Sequence, residues 1–387
     1  MTALAGARAQ IRDISLENIA SLAGGRLGDP SVIPLWFGEG DLQAPDLVGE
    51  AMRRAVSEGH VFYAQQNGVP RLREVLAAYL TGLGTRPVGP ERITVSQSGM
   101  NSIMLALMLS CEAGDNMIAV DPVWPNAGGA ARLLGVEART VRMDFSDDGW
   151  SLDPERVAAS IDGRTRAVFF ASPGNPTGAM LPMDVQAALL ETCRRRGVWL
   201  IADEVYNRLA FGREAAPTIL DIADPEDRLI VVNSFSKAWA MTGWRLGWMV
   251  HPPSLAQTLA MMTQYTTSGV TTFLQHAGAA AIREGEPFVA AMRTHCETGM
   301  DIVCDALERL PRVRLGPRPQ AGMYVFFQVD GLADSRAACA DLLARTGVGL
   351  APGAFFGPGC ESFLRACVCR DRAALEEAMR RLSAALA

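Results

Sequence analysis

The chain all but lacks lysine. Of its 36 lysine and arginine residues, one is a lysine, at position 237, although lysine is ordinarily among the commonest residues. It lacks a basic face as well: the formal net charge is −6, the sequence pI is about 5.4, and the longest cationic run is the triplet Arg194, Arg195, Arg196. A protein that follows a phosphate backbone needs clustered cations, so nucleic acid is not an expected partner. No apolar run approaches the ~18 residues of a spanning helix. The opening residues "MTALAGARAQIRD" hold no apolar segment of signal-peptide length, so no membrane association is expected. Eight cysteines are scattered along the chain. The densest group, Cys360, Cys367 and Cys369, contains no CxxC pair, and a four-ligand metal pattern is missing. Free, largely buried thiols, no metal and a reducing cytoplasm are expected. No GxGxxG follows a strand pattern to open a helix, which removes the fingerprint of a Rossmann-type nucleotide site.

What is present is an enzyme-sized α/β pattern. The 387 residues are 49% hydrophobic and 20% charged, the balance of an ordinary globular protein large enough for a second domain. Strand patterns fall at 92–96, 116–120, 166–172, 198–203 and 228–235, with helical patterns such as 101–109 and 184–196 between them. Such alternation predicts crossover units and a mostly parallel sheet covered on both faces. Ligands of such sheets sit beyond the carboxyl ends of the strands. After about 285 the texture changes to a long helical pattern at 287–310, short strands near 322–329 and 363–369, and a closing helix at about 371–386. The division expected is a large domain over 45–284 and a smaller α+β unit that combines 1–44 with 285–387.

Lysine can do one thing that arginine cannot. Its amine loses a proton near neutral pH when desolvated, and then condenses with an aldehyde. A compositional bias that spared one lysine by chance is the competing reading, and the neighbours weigh against it. Ser234, Ser236 and Arg245 lie within a few positions of Lys237, and two hydroxyls with a guanidinium suit a phosphate. Asp203 ends the strand of "LIADEVY", where a carboxylate can keep a ring nitrogen protonated, with Tyr206 three residues on. Read alone, Asp203 is as well a helix cap or a surface turn. Another strand ends in "SPGNPTG", a tight turn with Asn175 at its apex. A fourth leads into "SGMN", whose free N–H groups at a helix start can meet an anion.

Together these stretches resemble the pyridoxal-phosphate aminotransferases of fold type I, the class I/II or aspartate-aminotransferase-like family. "SFSKAWAMTGWRLG", "SPGNPTG", "ADEVY", "DPVWP" and "FLRACV" match its motifs in its order, and the likeness runs from "FGEGD" at 37–41 to the last helix. The resemblance implies an α/β fold with a mostly parallel seven-stranded sheet flanked by helices. It implies pyridoxal 5'-phosphate as cofactor, held as an aldimine by Lys237, which then serves as general acid/base. It places Asp203 at the pyridinium nitrogen and Tyr206 and Asn175 at the ring's phenolic oxygen. Trp124 would stand on the ring face. Ser234, Ser236, Arg245 and the backbone of Gly99 and Met100 would hold the phosphate. Tyr63 matches a tyrosine that reaches the neighbouring subunit's phosphate, which implies a homodimer with shared sites. Arg365 would clamp the substrate carboxylate, assisted by Asn175 and the backbone at Gly38. Outside the motif, Trp124 reads as core and Arg365 as a salt-bridge partner.

Within such a family, dicarboxylate-specific members carry a lysine where this chain has Met100. The expected substrates are therefore a neutral or aromatic L-amino acid and a 2-oxo acid acceptor. Trp36 and Phe37 either line an apolar pocket or pack in a strand core. The same scaffold also serves carbon–sulfur β-lyases and cyclising lyases, and a non-catalytic cofactor-binding regulator is a further alternative. The four histidines, His60, His251, His276 and His295, share no motif.

Overall fold

The computed structural model describes residues 6–12, 14, 18–84 and 86–386. Part of the expected N-terminal arm, residues 1–5, 13 and 15–17, lies outside the described residues.

Among those residues seven strands make one sheet: β1 (Ile93–Ser96), β2 (Asn116–Asp121), β3 (Glu137–Arg142), β4 (Thr165–Ala171), β5 (Trp199–Asp203), β6 (Leu229–Ser234) and β7 (Gly247–Val250), in the order β1-β7-β6-β5-β4-β2-β3. β7 runs antiparallel to both neighbours, and the remaining pairings are parallel. Side chains alternate between two apolar cores. Val168, Phe170, Leu200 and Val231 enter one, and Ala167, Phe169, Ile201 and Ile230 enter the other. A strand buried on both faces must be apolar at nearly every position, which is why the inner strands show in the sequence. Helices supply the two covers. Leu72, Leu76 and Leu80 of the Pro70–Gly82 helix pack on the first face. Ile103, Ala106 and Leu107 of the Gly99–Ser110 helix pack on the second.

Two strands have no counterpart among the sequence patterns. β3, "EARTVR", is an edge strand with mixed exposure, so polar residues interrupt the apolar signal. β7, "GWMV", is four residues long and fully buried, too short for a periodicity to register.

A second, four-stranded sheet among the described residues comprises β8 (Val313–Arg314), β9 (Tyr324–Val329), β10 (Ala351–Pro352) and β11 (Phe363–Cys367), ordered β8-β9-β11-β10 with antiparallel pairings. Val325, Phe327, Leu364 and Ala366 face a core closed by helices Glu286–Leu307 and Arg372–Leu386, through Val303, Leu307, Leu375 and Leu382. The two-residue period of a strand turns Tyr324, Phe326 and Arg365 the other way. The N-terminal segment joins this unit: Ile33–Pro34 pairs parallel with Val348–Gly349, and Leu35 accepts from Cys367 N at 2.8 Å. That attachment delivers the next residues, Phe37 to Glu39, to the carboxyl ends of the large sheet's strands. Among the described residues no helix is long and apolar enough to cross a membrane, and all eight cysteines are buried free thiols.

Candidate active site

A cavity of about 340 Å³ opens beyond the carboxyl ends of β4, β5 and β6, and its wall includes Gly38, Gly99, Met100, Trp124, Asn175, Asp203, Tyr206, Ser234, Ser236, Lys237, Arg245 and Arg365. Twelve residues singled out from the sequence thus share one wall, although they come from seven separate stretches of chain. Lys237 follows β6 after two further residues. Its Nζ donates to Gly38 O at 2.6 Å. Burial is the main cause pulling this amine from its ordinary 10.5 down to about 8. Arg365 acts in the same direction, against Cys367, Glu39 and Asp203. An amine that sheds its proton this readily is a nucleophile near neutral pH.

Asp203 is the last residue of β5, and its carboxylate accepts from Val205 N at 3.2 Å. Burial pushes this carboxyl up to about 6, partly offset by that N–H and by Lys237. Next to it, Glu204 points elsewhere and accepts from Thr218 Oγ1 at 2.9 Å and Ile219 N at 3.0 Å. One carboxylate of the pair therefore faces the cavity and the other ties down a loop.

The side of the cavity suited to an anion is built on the Gly99–Ser110 helix. Ser98 caps it from a left-handed backbone (φ 103°) by accepting from Asn101 N at 3.3 Å, which leaves the first-turn N–H groups pointing outward. Ser234 Oγ and Ser236 Oγ lie 2.9 Å apart, and Arg245, itself at φ 52°, is steadied by Thr242 O at 2.5 Å. Three glycines hold the close fit. A Cβ on Gly247 would stand 2.7 Å from Gly99 N, one on Gly99 would stand 3.4 Å from Ser234 Cβ, and one on Gly38 would stand 1.8 Å from the Tyr324 hydroxyl.

On the opposite side Arg365 is 2% exposed. Its Nη1 donates to Asn175 Oδ1 at 2.9 Å and its Nη2 to Trp36 O. The guanidinium lies over the rings of Tyr324 and Phe356, at 4.3 and 4.8 Å. Among the described residues Arg365 Nε has no hydrogen-bond partner, so a buried donor is held in place for an acceptor. Tyr206 donates to or accepts from Tyr324 at 2.7 Å, and burial raises the Tyr206 hydroxyl well above 10.

Tyr63 stands apart. It is 92% exposed beside Phe62, which is 80% exposed, on a surface cleft with Gln97, Ser268 and Thr272 rather than on the cavity wall. Tyr324, Glu39 and Thr242 belong to the wall without having been flagged by the sequence. Tyr324 sits in "GMYVFF", where strand periodicity reads it as core. Glu39 and Thr242 show their role through each other, Thr242 Oγ1 donating to Glu39 Oε1, a pairing across two hundred residues.

The wall suits a phosphorylated aromatic aldehyde: a sunken amine, a carboxylate deep in the cavity, an indole face, and an anion cradle that glycine alone permits. Comparison with known proteins agrees. The model of the family "Aminotransferase class I and II" matches residues 32–382, and the chain belongs to that family. It is an aminotransferase, and its cofactor is the family's pyridoxal phosphate. It is 30% identical to a probable aspartate/prephenate aminotransferase of Aquifex aeolicus, over 92% of this chain and 91% of that one. It is 31% identical to an arginine–pyruvate transaminase of Pseudomonas aeruginosa, over 98% and 95%. Among solved structures, a Thermus thermophilus aspartate aminotransferase mutant superposes with a TM-score of 0.90 at 28% identity, covering 98% of this chain and all of that one.

Proposed function

We propose that the protein moves the amino group of a neutral or aromatic L-amino acid to a 2-oxo acid, with Lys237 as the residue that joins the cofactor and moves the proton. The observation that carries this reading is the chain's single lysine amine, lowered to about 8, on the same cavity wall as Asp203 and Arg365. Pyridoxal phosphate, when bound, supplies the electron sink that makes an amino acid's Cα–H bond breakable. The chain's residues supply the rest. Asp203 would hold a proton at the ring nitrogen, and Trp124 would fix the ring plane. Ser234, Ser236, Arg245 and the N–H groups of Gly99 and Met100 would hold the phosphate. Tyr206 and Asn175 would donate to the ring's phenolic oxygen. Arg365, oriented by Asn175 and Trp36 O, would grip the substrate carboxylate through a planar fork. Lys237 would serve as general base and acid, taking the proton from the substrate Cα and returning it two bonds away, on the far side of the amino nitrogen.

The cations lining the cavity are Lys237, Arg245 and Arg365, and each has a task in this reading. None is left for a second carboxylate, while Met100, Phe37, Ile103 and Trp124 offer apolar surface. The relatives' names span acidic and basic donors and leave the choice to the pocket. We further take the protein to work as a cytoplasmic homodimer, with a large unit at 45–284 and a small unit from 1–44 and 285–387 that closes over substrate.

The test is direct. The purified holoenzyme should show a visible band that borohydride abolishes, with the reduced adduct mapping to Lys237. A panel of donors and 2-oxo acids should then give turnover that requires the acceptor. Label elsewhere, or aspartate turned over far faster than every neutral donor, would overturn the residue assignment or the substrate class respectively. Ammonia and a 2-oxo acid released with no acceptor present would assign a lyase instead.

A further inference from the structure

The cavity does not end at Trp124. A groove of about 1280 Å³ continues from it, and the two share Ile19, Phe37, Met100 and Trp124 on their walls. Two helices make two of its sides, and Ala9, Gln10, Ile14, Asn18, Ile19 and Ala20 of the N-terminal segment make another. Met100 and Met104, one turn apart on the Gly99–Ser110 helix, face Gly129, Ala130 and Leu133 of the Asn126–Leu133 helix, the i and i+4 spacing that puts side chains on one helix face. Arg132 and Glu137 also line it. Both are exposed, they carry opposite charges, and Glu137 is engaged by Arg164 at 3.0 Å. Flexible methionines beside small residues give the groove a mainly apolar floor that adapts to its occupant, with Gln10, Asn18, Asn126, Arg132 and Glu137 as its polar lining.

We infer that this groove is the seat of the substrate side chain, and that the enzyme selects amino acids whose uncharged side chain is longer than that of leucine. The inference rests on the functional reading above and extends it from a neutral to a long, apolar donor. The geometry gives two reasons. The groove is continuous with the wall that carries Lys237 and Arg365, so an amino acid held by its carboxylate has an apolar exit for its chain. A short side chain would leave the groove wet, whereas each methylene buried there strengthens binding roughly fourfold.

Gly129 provides the handle. A Cβ built on it meets no atom within 4 Å, so Gly129→Leu and Gly129→Phe extend into open space and leave the packing intact, and Gly129→Ala is the small control. In wild-type holoenzyme, kcat/KM should climb at least tenfold from L-alanine through L-norvaline and L-norleucine to L-2-aminooctanoate. Gly129→Phe should cut the ratio of the longest to the shortest donor by tenfold or more, and Gly129→Ala should keep most of it. A second readout does not depend on turnover. Calorimetric binding of inert carboxylates to the holoenzyme should tighten from butanoate to octanoate, and Gly129→Phe should flatten that series. Chain-length-dependent binding with no amino transfer would uphold the groove and overturn the reaction. Transfer with a flat or falling chain-length series, a preference for acidic or basic donors, or a long-chain preference indifferent to Gly129→Phe would each overturn the groove and leave the reaction standing.

Discussion

A buried amine titrating near 8 sets an expectation on rate. Only the neutral form attacks an aldehyde, and burial, the leading cause, penalises the ammonium. Loading of pyridoxal phosphate onto apoenzyme should therefore speed up about tenfold per pH unit below 8 and level off above it, as followed by stopped-flow absorbance. A rise that continued toward the ordinary value of 10.5 would mean that the amine is solvated before the cofactor arrives. Stability of the apoprotein should follow the same proton. The folded pKa lies below the unfolded one, so between about 8 and 10.5 the unfolded chain holds a proton that the fold has released. Raising pH through that window therefore removes a penalty and stabilises the fold. The adjacent carboxylates Asp203 and Glu204 give a sharper test of assignment. Both are raised by burial, to about 6 and about 7, so titration alone does not separate them. Geometry does, because Glu204 is used up by Thr218 and Ile219. Asp203→Asn should lower kcat roughly a hundredfold or more. Glu204→Gln, whose amide oxygen can accept the same two bonds, should stay within a few-fold. Equal losses in steady-state assays would remove the special place given to Asp203.

Helices and strands matter here chiefly through how closely they approach. Strand β7 passes the start of the Gly99–Ser110 helix with no room for a side chain: a Cβ on Gly247 would lie 2.7 Å from Gly99 N, 2.8 Å from Ser98 C and 2.9 Å from Asn233 O. All three are backbone atoms, two at the helix start and one in strand β6, so none can swing aside. Gly247→Ala should cost roughly 1–3 kcal/mol in denaturant unfolding and weaken retention of the cofactor on dialysis, because the cradle moves with the helix. Unchanged stability with unchanged retention would show that the helix start is softer than its contacts imply. The same strand shows what the sequence could and could not reveal. The inner parallel strands were legible since burial on both faces demands an unbroken apolar run. β7 was hidden by its length and β3 by its exposed edge. Ser234, Ser236, Arg245 and Asn175 were legible because turn chemistry and sole-lysine spacing marked them, whereas Trp124 and Arg365 were reached only through the family resemblance. Tyr324 was not. Its role depends on meeting Tyr206 at 2.7 Å and on backing the Arg365 guanidinium at 4.3 Å, both contacts made between distant segments.

The surface of the whole molecule carries one feature that the single chain leaves unused. Val61, Phe62 and Tyr63 are 51%, 80% and 92% exposed, and Tyr265 is 80% exposed, a concentration of large apolar groups of the kind that marks an interface. Tyr63 lies off the wall of its own cavity, so a role at a phosphate requires a second copy, as a two-fold dimer would provide. Sedimentation should accordingly give a dimer, and Phe62→Glu should shift it toward monomer. Complementation tests the sharing itself. Lys237→Ala lacks the amine, and Tyr63→Ala should hold cofactor poorly. If Tyr63 serves the neighbour, a mixed dimer of the two variants has one site with both defects and one with neither. Equal mixing with free exchange puts half the subunits into such dimers, so about a quarter of wild-type activity should return at limiting cofactor. If Tyr63 serves its own subunit, every site in the mixture keeps one defect, and mixing should restore nothing.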